Sequence, residues 1–83
     1  MDAVVYTQGQ GIWRVSASPS MRGLGDVLKG EDKTLTIVPD EGSDLDGIRS
    51  GPYASLDEVM AAVGHHIGGR CRPAGRSRAG GFW

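Results

Sequence analysis

Residues 55–67 read SLDEVMAAVGHHI and predict the one helix that would cover the strands of this chain. Ser55 suits the N-cap, and Glu58 stands three residues later, as in a capping box. Apolar residues then recur at helical spacing and form one stripe, which consists of Leu56, Val59, Met60, Val63 and Ile67. Gly68 and Gly69 follow and supply the left-handed stop expected after the last turn.

Two runs near the start of the chain predict a β-hairpin. Residues 3–7 and 12–17 are rich in β-branched and aromatic side chains, and QGQG lies between them. In the second run Trp13 and Val15 alternate with Arg14, so we expect Trp13 and Val15 on a buried face and Arg14 in solvent.

The segment between this hairpin and the helix is less regular. Residues 34–39, TLTIVP, alternate in the same way and predict a strand that turns Leu35 and Ile37 inward. The preceding stretch, residues 20–33, has apolar residues at helical spacing, but a glycine costs about 1 kcal/mol in a helix interior. Because Gly23 and Gly25 both fall there, we expect at most a fragile turn.

These elements together predict an α+β fold. We expect a small antiparallel sheet, made of the hairpin and one or two further strands, packed on one C-terminal amphipathic helix. Residues 1–69 would form this domain. Residues 70–83, RCRPAGRSRAGGFW, show no periodicity and are rich in Gly, Arg, Pro and Ser, which predicts a flexible, disordered basic tail.

Composition restricts the setting of the protein. The chain has 83 residues, enough for one domain with a thin core, and one cysteine, which excludes an internal disulfide and favours a reducing cytoplasm. The start, MDAVVYTQGQ, has neither the basic region nor the apolar length of a signal peptide or membrane span. Seven arginines against two lysines are typical of a GC-rich bacterial genome.

Charge is divided unevenly along the chain. Residues 26–58 hold nine acidic and three basic side chains, whereas residues 70–83 hold four arginines and no acid. Arginine with a terminal aromatic group is a combination that contacts phosphates and stacks on bases. The candidate nucleic-acid or anion site therefore consists of Arg70, Arg72, Arg76, Arg78 and Trp83, with Arg14 as an extension. The tail arginines could equally pair with the acidic segment or only keep the chain end soluble.

His65, His66 and Cys71 raise the question of a metal or redox site. Adjacent helical histidines point about 100° apart, whereas a helix-borne metal pair needs i, i+4 spacing. Protonated histidines in a last turn also interact well with the helix dipole, so we expect no metal ligands and no cofactor. No motif indicates a catalytic residue.

Three functions remain open. The acidic domain favours a non-catalytic binding or regulatory module that acts through protein–protein contacts, with no membrane association. The first alternative is a nucleic-acid accessory protein that uses the basic tail. The second is a metal or redox protein that uses His65, His66 and Cys71.

Overall fold

A computed structural model describes residues 1–74 of the chain. Six regular elements follow one another. They are β1 (Asp2–Gly9), β2 (Ile12–Ser18), β3 (Gly23–Lys29), β4 (Leu35–Pro39), α1 (Leu56–Ile67) and β5 (Cys71–Pro73). The first four strands form an antiparallel meander, and β5 pairs in parallel with β1, which gives the sheet order β4-β3-β2-β1-β5. Helix α1 contacts β1, β4 and β5 and thereby covers one face of the sheet.

The α+β class is confirmed, but the sheet is larger than expected and mixed rather than antiparallel. The helix is also not the last element, because β5 follows it. Residues 71–73 fall beyond the predicted domain of residues 1–69, so the strand lies in the segment expected to be a tail. Residues 75–83 of that segment lie outside the described residues.

Strand β3 replaces the fragile turn expected in residues 20–33. Its two glycines are required by close approach of neighbouring groups rather than by chain flexibility. A Cβ on Gly25 would lie 2.7 Å from the carbonyl oxygen of Val38 and 2.9 Å from the Cα of Pro39. Glycine inside a strand often marks such a close backbone approach. The two glycines that made a helix unfavourable here are therefore part of a strand.

The predicted hairpin is confirmed, with Gly11 in the left-handed region at φ 70°. The core lies between the sheet and the helix. Its buried apolar residues are Ala3, Val5, Val15, Ala17, Leu24, Val27, Leu35, Ile37, Leu45, Tyr53, Val59 and Val63. Leu35 and Ile37 face inward as the alternation predicts, whereas Leu45 is a core residue within a loop that the sequence marks only as acidic.

Helix α1 begins and ends where the sequence predicts. The Ser55 hydroxyl accepts a hydrogen bond from the backbone N–H of Glu58 at 3.2 Å, and Gly68 closes the helix at φ 73°. Within the apolar stripe Val59 and Val63 are buried, while the other three members are half-buried against the core. Within residues 1–74 no helix has the length and apolar character needed to cross a membrane.

Candidate functional site

Arg14 lies at the centre of an ion-pair cluster on the sheet face opposite the helix. Its guanidinium donates to both carboxylate oxygens of Asp40, at 3.2 and 2.6 Å, and to Asp26 at 3.0 Å. The hydrogen bonds to Asp40 and then to Asp26 raise the already high pKa of Arg14 further. The guanidinium is therefore engaged by two carboxylates of its own chain.

Gly23 provides the space for this cluster. A Cβ on Gly23 would collide with a guanidinium nitrogen of Arg14 and would come within 3.1 Å of Asp40 Oδ2. The Arg14 side chain is only 25% exposed, so the sheet surface and the two carboxylates hold it in one place. The cluster is therefore a half-buried polar group on this face.

Apolar side chains lie beside the cluster on the same face, which we call the helix-free face. The register pairs Ile12 with Leu28, Arg14 with Asp26, and Asp26 with Val38, so all five side chains project to one side. Ile12, Leu28 and Val38 are 42%, 41% and 45% exposed. Three of the five large apolar side chains that the described residues expose thus lie on one face.

The other predicted arginines do not join Arg14. Arg70 and Arg72 flank the start of β5, and β1 separates that strand from β2. The Arg70 N–H donates to Asp2 Oδ1 at 3.2 Å, and the Arg72 guanidinium lies 3.7 Å from Asp2 Oδ2 while remaining 65% exposed. The remaining predicted members, Arg76, Arg78 and Trp83, lie outside the described residues.

The histidines and the cysteine do not converge either. His66 lies beside the loop before the helix, with Nε2 3.3 Å from the carbonyl oxygen of Asp46, whereas His65 lies on the other side with Cys71. Within residues 1–74 no group of three His, Cys, Asp or Glu side chains could hold a metal ion. Burial raises the pKa of the Cys71 thiol to about 11, so the thiol is protonated at neutral pH.

His65 and Cys71 instead line a groove between α1 and β5 of about 470 Å³, which we call the α1–β5 groove. It runs along the helix from Asp57 in the first turn to His65 in the last. Gly64 allows the helix to approach β5 closely, since a Cβ there would lie 3.1 Å from the Gly69 carbonyl oxygen and 3.3 Å from the Cys71 nitrogen. The groove is thus an open depression beside the edge of the sheet.

The acidic loop of residues 40–46 is partly structural. Besides Asp40 on Arg14, Asp44 pairs with Arg22 at 3.0 Å, and the Ser43 hydroxyl donates to the Leu24 carbonyl at 2.8 Å. These contacts bring Leu45 into the core. The loop therefore positions a carboxylate on the helix-free face.

Arg14 was predicted as a candidate site residue from the sequence, whereas the apolar residues beside it were not. Ile12 and Val38 fall on the outward positions of strands whose inward positions were assigned, so the alternation itself contained the signal. Leu28 could not be placed because β3 was not expected as a strand. Comparison of the chain with protein-family models, curated proteins and solved structures gives no significant match.

Proposed function

We propose that this chain is a non-catalytic bacterial module that binds a protein partner through the helix-free face of its sheet. The observation that carries the proposal is the exposure of Ile12, Leu28 and Val38 together on that face. An antiparallel sheet with one face on the core normally turns polar residues to water on the other. Grouped apolar side chains with polar neighbours are typical of interaction surfaces.

Charge supports a protein partner that carries basic side chains around an apolar centre. Residues 1–74 hold ten acidic and seven basic side chains, a net charge of −3. Asp26 and Asp40 border the apolar side chains and remain 40% and 38% exposed while they hold Arg14. Complementary charge at the rim of an interface steers encounter and fixes orientation.

The nucleic-acid alternative is supported by Arg70 and Arg72, which are both exposed beside β5. Two phosphate contacts give weak binding that salt removes. The acidic character of the described residues opposes a polyanion, so this function ranks second. The metal or redox alternative has less support still, because His65 and His66 diverge and the Cys71 thiol is protonated at neutral pH.

We also propose a cytoplasmic location. The single cysteine of the chain supports it, since small domains of oxidising compartments usually depend on several disulfides.

Site-specific photo-crosslinking in cells tests the proposed face. p-Benzoylphenylalanine placed at Leu28 should give a discrete protein adduct that Ile12→Glu abolishes, and the purified partner should shift amide signals across β2, β3 and β4. The same crosslinker at Glu31, an exposed residue of the β3–β4 turn, serves as the matched control.

Two outcomes would count against the proposal. Equal adducts from Leu28 and Glu31, or adducts that survive Ile12→Glu, would show that the face has no specific role. Adducts that nuclease digestion removes would support the nucleic-acid alternative instead.

A further inference from the structure

The two edges of the sheet differ in how their backbone groups are used. At the β4 edge, Leu35 exchanges two backbone hydrogen bonds with Tyr53, at 2.8 and 2.9 Å, and the Ile37 N–H donates to the Ser50 carbonyl at 2.7 Å. The loop before the helix therefore covers that edge. The β5 edge has no such cover among the described residues.

The parallel register determines which groups β5 presents outward. The Ala3 N–H donates to the Arg70 carbonyl and the Ala74 N–H donates to the Val5 carbonyl, both at 2.8 Å. Arg70, Arg72 and Ala74 thus direct their backbone groups toward β1. The N–H and C=O of Cys71 point away from the sheet, in the position where a further strand would bond.

The α1–β5 groove lies directly beside these outward groups. Cys71 is opposite Ala3 in the register, so its side chain projects to the helix-covered face and forms part of the groove floor. Met60 and Ala61 of the helix form the facing wall. A residue that pairs with Cys71 would project its own side chain to the same face, into the groove.

We propose that an extended peptide binds here as an antiparallel strand added to β5, with the sequence acid–apolar–acid centred on the residue opposite Cys71. The central residue donates its N–H to the Cys71 carbonyl and accepts from the Cys71 N–H, and its apolar side chain enters the groove. This is strand addition at a sheet edge beside a helix. It is a second binding site, separate from the apolar side chains of Ile12, Leu28 and Val38.

The acidic flanks follow from the same register. The neighbours of the central residue lie opposite Arg70 and Arg72 and project to the same face as those side chains. Arg72 is 65% exposed, and its partner Asp2 lies at 3.7 Å, so an incoming carboxylate can displace a weak exposed pair. Asp57, in the first helical turn, is the one acid that lines the groove.

The test is an amide NMR titration of the full chain with the probe acetyl-Thr-Thr-Glu-Val-Glu-Thr-Thr-amide. We expect saturable shifts centred on Cys71 and slower hydrogen exchange of its N–H. N-methylation of the valine removes the bond to Cys71 and should weaken binding about tenfold or more. N-methylation of the second glutamate, whose N–H points away from β5, should have little effect.

Two protein variants test the groove, and a change in the probe tests the charges. Ala61→Gln should weaken binding because it narrows the groove, whereas Ala54→Gln, the same change at an exposed alanine before the helix, should not. A probe with lysine in place of both glutamates should bind at least tenfold more weakly.

Several results would overturn the proposal. These are no saturable shift at millimolar probe, equal effects of the two N-methyl groups, or equal effects of Ala61→Gln and Ala54→Gln. Protection of the Cys71 N–H without peptide would assign the edge to the chain itself, or to a second copy if that protection grows with protein concentration. All of these readouts concern β5 and leave the Leu28 crosslinking result independent.

Discussion

Leu45→Ala is the substitution that most directly tests how the acidic loop is held. Leu45 is fully buried, although acidic residues surround it in sequence. Truncating a buried leucine to alanine costs about 2–5 kcal/mol, depending on how far the site collapses. Collapse is restricted here, because the Ser43 hydroxyl donates to the Leu24 carbonyl and the Ile48 N–H to the Leu45 carbonyl, so we expect about 3 kcal/mol.

That loss is large for this fold. A domain of this size has a free energy of unfolding of about 4–11 kcal/mol, from typical stability per residue. With a urea dependence of about 1 kcal/mol per molar, the unfolding midpoint should fall by about 3 M. Urea titration followed by circular dichroism measures this shift directly.

Glu41→Ala is the matched control within the same loop. Glu41 is exposed, so its removal should change stability by less than about 0.5 kcal/mol. If Leu45→Ala also stayed within that range, the loop would not be docked on the core. The assignment of Asp40 to Arg14 would then lose its support.

Four further predictions concern Gly25, the Arg14 ion pairs and Cys71. Gly25→Ala should destabilise the protein by about 1–3 kcal/mol in the same urea assay, because its Cβ meets a β4 carbonyl oxygen at 2.7 Å; a neutral result would contradict the close approach. Asp40→Asn should lower the free energy of unfolding by about 1 kcal/mol and Asp26→Asn by about half as much, because Arg14 donates two hydrogen bonds to Asp40 and one to Asp26. Double-mutant cycles with Arg14→Met measure both coupling energies, and equal values would refute this ranking. The Cys71 thiol, with its pKa raised to about 11 by burial from an ordinary 9.0, should react with iodoacetamide at pH 8 about a hundredfold more slowly in the native protein than in urea. The same pKa shift stabilises the fold below pH 9, and this contribution should disappear as pH rises from 9 to 11, because the unfolded chain loses the proton first. For the alkylation experiment, a native iodoacetamide rate equal to the rate in urea would show that the thiol is not buried.

The elements that the sequence predicted are those that depend on local periodicity. The capping residues and apolar stripe of α1 lie within one short segment, and the alternation around Trp13 or Ile37 needs no information about a partner strand. The hairpin likewise joins neighbours through Gly11. Local patterns of this kind predict the folded structure well because they agree with it and require no contact with a distant segment.

The elements that were missed depend on contacts between distant segments. The sequence alone indicates only flexibility at Gly23 and Gly25. Their close contacts are with Arg14 and with β4, which are distant in sequence. Strand β5 has three residues, too few for a detectable pattern, and its partner β1 lies at the other end of the described chain.

The candidate site shows the same division. Alternation predicts that Arg14 points away from the core, but the partners Asp26 and Asp40 follow from strand register and from the course of a loop. The charge count alone indicated that basic and acidic residues could form ion pairs. It did not indicate which residues would pair. Pairing across strands requires a register, and alternation leaves register undetermined.

The pairing of β1 with β5 also determines the order in which this fold assembles. The three hairpins of the meander join strands that are adjacent in sequence, so each closes a short loop at low entropic cost. Bringing Arg70 to Ala3 closes nearly the whole described chain, and it positions the end of α1 at the same time. We expect the meander to form before β5 docks, and native-state hydrogen exchange should find the Arg72 amide less protected than that of Val15.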